Sequence, residues 1–261
     1  MRCRLRSTSV EVEVVAGRFD DLDYEGFRKQ AVENGLSRFE RIGFPNSYRK
    51  GHEAAIFADI RAKLPALDGD GAVVLDIGTG CSDLPNMLID HCISHGHRLA
   101  LADSAEMLAL LPDGEGVEKF PGRFPESSDK VRAALGKADV ILCYSVIQYT
   151  LVDGILERFV DAALKLLADG GSMLIGDVPN VSMRKRFFAS PAGRTFHCAF
   201  SGGNDLPVAG IDKSEDGKVN DRVVLELLAR ARAAGAHAFV IPQADGLPMA
   251  NRREDILIKR P

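Results

Sequence analysis

The residues best placed to do chemistry in this 261-residue chain stand around a pair of glycines. The apolar run Val73-Val74-Leu75 meets Asp76-Ile77-Gly78-Thr79-Gly80, and Asp83 follows shortly after. A buried strand that ends on two glycines can turn sharply and bring bare backbone close to a ligand. The helix that follows such a turn presents unpaired N–H groups and the positive end of its dipole. This suits a nucleotide or an amino-acid carboxylate. A dinucleotide fingerprint would place a third glycine at position 83, where Asp83 would instead repel a pyrophosphate. Asp76 suits a cationic or N–H-donating ligand better than a phosphate. Asp103 closes a second apolar run, Arg98–Ala102, where a carboxylate can accept hydrogen bonds from both hydroxyls of a ribose. Asp103 could also cap a helix over 105–111, and the two roles can coexist. Ser104 comes next, and Met107 is placed to pack on a flat base.

A second group of reactive side chains lies further on. Tyr144, Ser145, Gln148 and Tyr149 follow the apolar run 139–144 and are candidates to line a pocket, with core packing the alternative for Tyr149. Asp177 ends the run 172–177, at the edge where open α/β sheets bind ligands, and is a candidate general base. His197 is a second candidate by its ordinary pKa. Asp177 could instead cap the turn at Pro179-Asn180, and His197 could be an ordinary loop histidine. Arg184, Lys185 and Arg186, with Arg252 and Arg253, carry forks that suit phosphate or carboxylate. A solvated charged face is the plainer reading. No His/Asp/Glu cluster has ligand spacing, and the five cysteines include no Cys-x-x-Cys, so no metal is expected. Cys81, inside the glycine turn, reads as a small packing residue.

These residues need elements to position them. From Ala72 onward short apolar runs alternate with helical patterns: strands over 72–76, 98–102, 117–124, 139–144 and 172–177, and helices over 83–92, 155–167 and 222–234. Strands over 238–242 and 255–259 are joined by a loop too short for a crossover helix, so they must be antiparallel neighbours. Before Ala72, Val10, Val12 and Val14 alternate with acids as in a short strand, and helices are expected over 22–36 and 52–64. Residues 189–218 read as a long insertion, a lid or substrate loop, with disorder the alternative. Hydrophobic residues make up 46%, enough for a sizeable core. The formal charge of −4 and the pI near 5.9 give no general affinity for nucleic acid. No apolar run approaches the roughly 18 residues of a membrane span. The scattered, odd-numbered cysteines fit a reducing cytoplasm.

From about residue 50 to the end, the chain resembles class I S-adenosylmethionine-dependent methyltransferases. Val73–Gly80 is similar to their first motif, with Ser82 where many members have another glycine. Leu99–Met107 is similar to the second, with Asp103 as the ribose-binding acid. Asp139–Tyr149 is similar to the fourth, Leu166–Gly171 to the turn before the fifth strand, and the closing strand pair to the family's C-terminal hairpin. The resemblance implies a seven-stranded, Rossmann-like α/β sheet over 51–261, with residues 1–50 as an N-terminal extension. It implies S-adenosylmethionine as cofactor, bound by Tyr48, Asp76, Gly78, Thr79, Gly80, Asp103, Ser104, Met107, Phe124 and Ser145. Asp177, His197 and Tyr144 are then the catalytic candidates. Gln148, Tyr149, Asn180, Arg184, Arg186 and Arg252 would hold a small acceptor, phosphorylated or not. Segments 176–188 and 247–255 are also similar to methyltransferases associated with bacterial surface polysaccharides, which implies a sugar or nucleotide-sugar acceptor. Two rivals stand beside this reading. A non-catalytic S-adenosylmethionine-binding protein would share the pocket, and an NAD(P)-dependent oxidoreductase would need the missing third glycine and a Tyr-x-x-x-Lys that is absent. Homo-oligomerisation stays open.

Overall fold

The computed structural model describes residues 22–201 and 217–261. The strand expected around Val10–Val14 lies outside the described residues. Seven strands form one sheet in the order β3-β2-β1-β4-β5-β7-β6. They are β1 (Val73–Ile77), β2 (Arg98–Asp103), β3 (Val117–Pro121), β4 (Ala138–Tyr144), β5 (Leu167–Pro179), β6 (His237–Pro242) and β7 (Arg253–Lys259). β1 to β5 are mutually parallel, and β7 lies antiparallel between β5 and β6. The hairpin expected from the short connection is therefore present. β5 is longer than its apolar run, because Leu167 already pairs with Ala138 before the turn at Gly170-Gly171.

The central strands are apolar on both faces because helices cover both. On one face Leu75, Ile141 and Met173 pack with Phe159, Val160 and Leu164 of α9 (Leu156–Leu166) and Leu227 of α12 (Asp221–Ala233). On the other, Val74, Leu101 and Leu142 pack with Ile60 of α4 (Glu53–Lys63) and Leu88 of α5 (Asp83–Ser94). From β1 the chain moves outward to β2 and β3, then returns to β4 on the other side of β1. Where the order reverses, the loops leaving β1 and β4 diverge and open a crevice at the carboxyl edge of the sheet.

Three short helices precede this sheet and lie over that crevice: α1 (Tyr24–Val32), α2 (Arg38–Arg41) and α3 (Asn46–Arg49). α1 is shorter than the expected 22–36. Asp23 caps it by accepting from the Gly26 N–H, and it stops ahead of Gly35, which has φ +86°. Arg28 of α1 grips Glu106 of α6 (Ala105–Leu108) at 2.6 Å, and Arg38 of α2 pairs with Asp83 at the start of α5. The glycine turn is thus covered by a segment outside the sheet.

The insertion over 189–218 is not loop throughout. α10 (Val181–Ala189) runs into α11 (Pro191–Ser201), and Phe187 packs edge-on against Phe188 and Phe196. That half-exposed aromatic cluster ties the two helices together, a signal hidden by the polar, glycine-rich stretch beyond residue 201. Two further helices, α7 (Ser128–Leu135) and α8 (Ile147–Val152), lie on either side of β4 in the chain.

Candidate functional site

β1 ends at Ile77, and the backbone then turns through Gly78 (φ +74°) and Gly80 (φ +68°). A Cβ on Gly78 would stand 2.4 Å from Val146 Cγ2, and one on Gly80 2.8 Å from Ile42 Cγ2. Both positions therefore require glycine for conformation and for space. Asp103, at the end of the neighbouring β2, accepts from the Gly80 N–H at 2.8 Å and from the Ser104 N–H at 2.6 Å. One bond on each oxygen leaves acceptor capacity on both. Ser104, not Asp103, caps α6, its hydroxyl accepting from the Met107 N–H at 3.2 Å. The Asp103 carboxylate is therefore not consumed by the cap and faces a cavity of about 920 Å³.

Of the residues expected to hold the cofactor, Gly78, Thr79, Gly80, Asp103, Met107, Phe124 and Ser145 line this cavity, and Tyr144 and Tyr149 join them. Asp76 and Ser104 do not. Asp76 is buried, and its carboxyl is pushed up to about 7 by burial and then by the Asp103 charge. Tyr48 is also displaced from this cavity. It lines the neighbouring one, and the next residue, Arg49, takes the place at the glycine turn. Successive residues of a helix point about 100° apart, so adjacent positions of α3 serve different cavities. The extension also contributes Tyr24, Phe27, Ile42 and Phe44, none of which the motifs signalled. Burial and the nearby Asp103 raise the Tyr24 phenol to about 12.

Arg49 is almost fully enclosed and ties three elements together. Its Nη2 donates to Ser145 Oγ at 2.5 Å and approaches Asp177 Oδ2 at 3.4 Å, and its guanidinium lies 4.4 Å from the Phe44 ring centroid. Ser145 donates in turn to Asp177. Ser145, just after β4, and Asp177, near the end of β5, have φ of +63° and +58°, uncommon for residues with a Cβ and typical of sites held in place by their surroundings. Asp177 is held on every side. Arg253 donates to its Oδ2 at 2.7 Å, Gln243 to its Oδ1 at 3.3 Å, and its own N–H donates to Asp255 at 2.8 Å. The Asp177 carboxylate thus accepts from two guanidiniums, an amide and a hydroxyl, and Asp177 lines neither large cavity. The carboxylate expected as a base is therefore engaged with Arg49, Ser145, Gln243 and Arg253, outside both linings.

A second cavity of about 1600 Å³ adjoins the first, and Phe44 and Tyr149 line both. Gln148, Asn180, Arg184 and Arg252 line it, as the sequence suggested for an acceptor, and Tyr48 is with them. Asn180 is fully engaged. Its Oδ1 accepts from the Ser182 and Met183 N–H groups, and its Nδ2 donates to Asp221 and Glu254, so it caps α10 rather than offering free atoms. Arg186 is exposed, pairs with Asp221 and lies outside the lining. His197 packs edge-on against Phe188, and its neighbour Phe196 takes the lining position. Among the described residues no group of three metal-ligating side chains is gathered.

No family model matches the sequence, and no curated protein matches it. Solved structures do. The N-methyltransferase NodS of Bradyrhizobium japonicum WM9, in complex with S-adenosyl-L-homocysteine, is 12% identical, with a TM-score of 0.53, covering 91% of this chain and 98% of its own. The plantazolicin methyltransferase BamL, in complex with a triazolic desmethyl analogue and the same product, is 12% identical, with a TM-score of 0.54 and coverages of 96% and 100%. A Bordetella parapertussis chain, named only as a possible exported protein, is 12% identical, with a TM-score of 0.55 and coverages of 97% and 87%. At such identities the likeness is one of architecture: this chain has the seven-stranded α/β fold, with its antiparallel closing hairpin, that NodS and BamL also have.

Proposed function

We propose that the protein is an S-adenosylmethionine-dependent methyltransferase whose cofactor occupies the cavity at the glycine turn and whose acceptor, a small molecule, occupies the adjoining cavity. The observation that carries this reading is Asp103. Its two oxygens are fixed by backbone N–H groups of the turn and of α6, with spare acceptor capacity facing the cavity. That arrangement fits the two hydroxyls of a ribose and repels a phosphate. Met107 and Phe124 offer apolar surface for a flat base, and Arg49, in the same lining as Thr79 and Ser82, offers a cation for an amino-acid carboxylate.

The cofactor would supply a methyl group already activated by a sulfonium charge. The protein's part is to align the acceptor with it, an effect that reaches about 7–11 kcal/mol for well-oriented reactants. Phe44 and Tyr149, common to both cavities, stand where the two ligands would meet. The phenols of Tyr144 and Tyr149 are both pushed up by burial, so they stay protonated and serve as hydrogen-bond donors rather than bases. Asp177 fixes Ser145 and Arg49. Segments 176–188 and 247–255, on which the likeness to polysaccharide-associated enzymes rests, frame the second cavity, which supports a sugar or nucleotide-sugar acceptor.

Calorimetric titration with S-adenosylhomocysteine tests the cofactor half. Asp103→Ala is expected to weaken binding tenfold or more in a folded protein, by loss of charge-assisted hydrogen bonds. Unchanged affinity rules Asp103 out of the site. Release of S-adenosylhomocysteine during turnover with an acceptor separates an enzyme from a non-catalytic binder.

A further inference from the structure

The second cavity carries an imbalance of charge. Arg253, on its wall, is neutralised by Asp177 at 2.7 Å. Arg252, beside it, has no carboxylate partner among the described residues. Its guanidinium meets the Met249 sulfur at 3.2 Å, the Asn251 side-chain oxygen at 3.1 Å, and the Phe196 ring at 5.8 Å from the centroid. Burial, together with the nearby Arg253 and Arg184, presses the Arg252 pKa down, as expected of a cation set among cations without a counter-charge. Half-buried charges of this kind are costly unless something pairs with them. Arg184 faces the same space from α10 and stacks on Phe188 at 5.7 Å, again with no carboxylate among the described residues. The rest of the wall is largely apolar and aromatic, with Phe44, Tyr149, Phe188 and Phe196 all lining it.

From this juxtaposition we infer that the acceptor is an anion carried on a flat aromatic body, its charged group held by Arg252 with Arg184 at the mouth and its ring laid among the aromatic side chains. This deepens the proposed function and rests on its assignment of the second cavity to the acceptor. A guanidinium fork takes a carboxylate or a phosphate equally well. The same chemistry would be met by an aryl carboxylate or by the nucleotide portion of an activated sugar.

The test uses the full chain saturated with S-adenosylhomocysteine and titrated with 4-hydroxybenzoate, uridine 5′-monophosphate, neutral 4-hydroxybenzamide and acetate. At least one aromatic anion is expected to bind tenfold or more tightly than the amide and than acetate, and the preferred anion identifies the source. Arg252→Met, which keeps an unbranched apolar stem without the charge, is expected to remove that preference while S-adenosylhomocysteine affinity stays as in the wild type. Arg184→Gln, at an exposed position that does not threaten folding, is expected to weaken the anion about threefold. The inference is overturned if neither anion outcompetes the amide, if acetate binds as well as both, or if Arg252→Met and Arg184→Gln leave anion affinity unchanged. Loss of S-adenosylhomocysteine binding by the wild type would instead bring down the cofactor assignment, a separate and distinguishable result.

Discussion

The two cavities are built from different materials. The cavity at the glycine turn is built on its sheet side from backbone, with two glycines in the left-handed region, N–H groups fixing Asp103 and the ends of adjacent parallel strands, and is closed by side chains of the N-terminal segment. The second cavity takes its shape from side chains brought in by α3, α8, α10 and the loop before β7. A backbone-built site has few acceptable sequences, so it leaves a recognisable motif. A side-chain-built site can be assembled in many ways and leaves only scattered residues. The two cavities share Phe44 and Tyr149, and at a nearby junction Arg49, Ser145 and Asp177 bind the N-terminal segment to the ends of β4 and β5.

That contrast can be broken by substitution. The largest effect is expected at the junction. Arg49→Met leaves Asp177 with one guanidinium fewer and removes the guanidinium 4.0 Å from the buried Glu53, whose carboxyl burial already pushes up. Breaking a buried ion pair costs about 3–5 kcal/mol, so the melting temperature is expected to fall by roughly 6–15 °C. A change below about 2 °C would show that the junction is not a structural tie.

Asp76 gives the contrast a pH dependence. Its carboxyl is raised from the usual 3.8 to about 7, so the folded protein disfavours its ionised form. The stability it contributes is full below about pH 4 and is lost as the pH rises through about 7. The difference in stability between wild type and Asp76→Asn should drift against the wild type over that range, by up to about 4 kcal/mol. A difference independent of pH would refute the buried placement.

Gly78→Ala should cost about 2–3 kcal/mol through its positive φ and the clash with Val146, lowering S-adenosylhomocysteine affinity roughly 30–150-fold. In the second cavity, Arg184→Ala should leave that affinity unaltered; equal sensitivity would erase the distinction between the two regions. The smallest effect is expected for Arg186→Ala. Its ion pair with Asp221 is exposed, worth under about 1 kcal/mol, and denaturant unfolding should barely register its loss.

How far the sequence revealed each region follows from the same physics. The sheet was legible because each buried parallel strand is an apolar run, and the closing hairpin because its loop is short. Gly78, Gly80 and Asp103 were legible because strand ends and positive φ restrict residue choice. Tyr24, Phe27 and Phe44 were not, since an aromatic residue in a short helix looks the same whether it covers a pocket or packs a core. Tyr48 and Arg49 were exchanged because their orientation depends on one helical turn that is only four residues long. The partners of Asp177, namely Arg49, Gln243 and Arg253, were not legible because they come from distant parts of the chain. The helical pair over 181–201 was obscured because its aromatic cluster lies within a polar stretch.

The most direct measurement is calorimetric titration of the purified protein with S-adenosylhomocysteine, alongside a nicotinamide dinucleotide. The account predicts one S-adenosylhomocysteine per chain, weakened at least tenfold by Asp103→Ala, and no binding of the dinucleotide. A folded protein that takes up the dinucleotide and leaves S-adenosylhomocysteine unbound would contradict it.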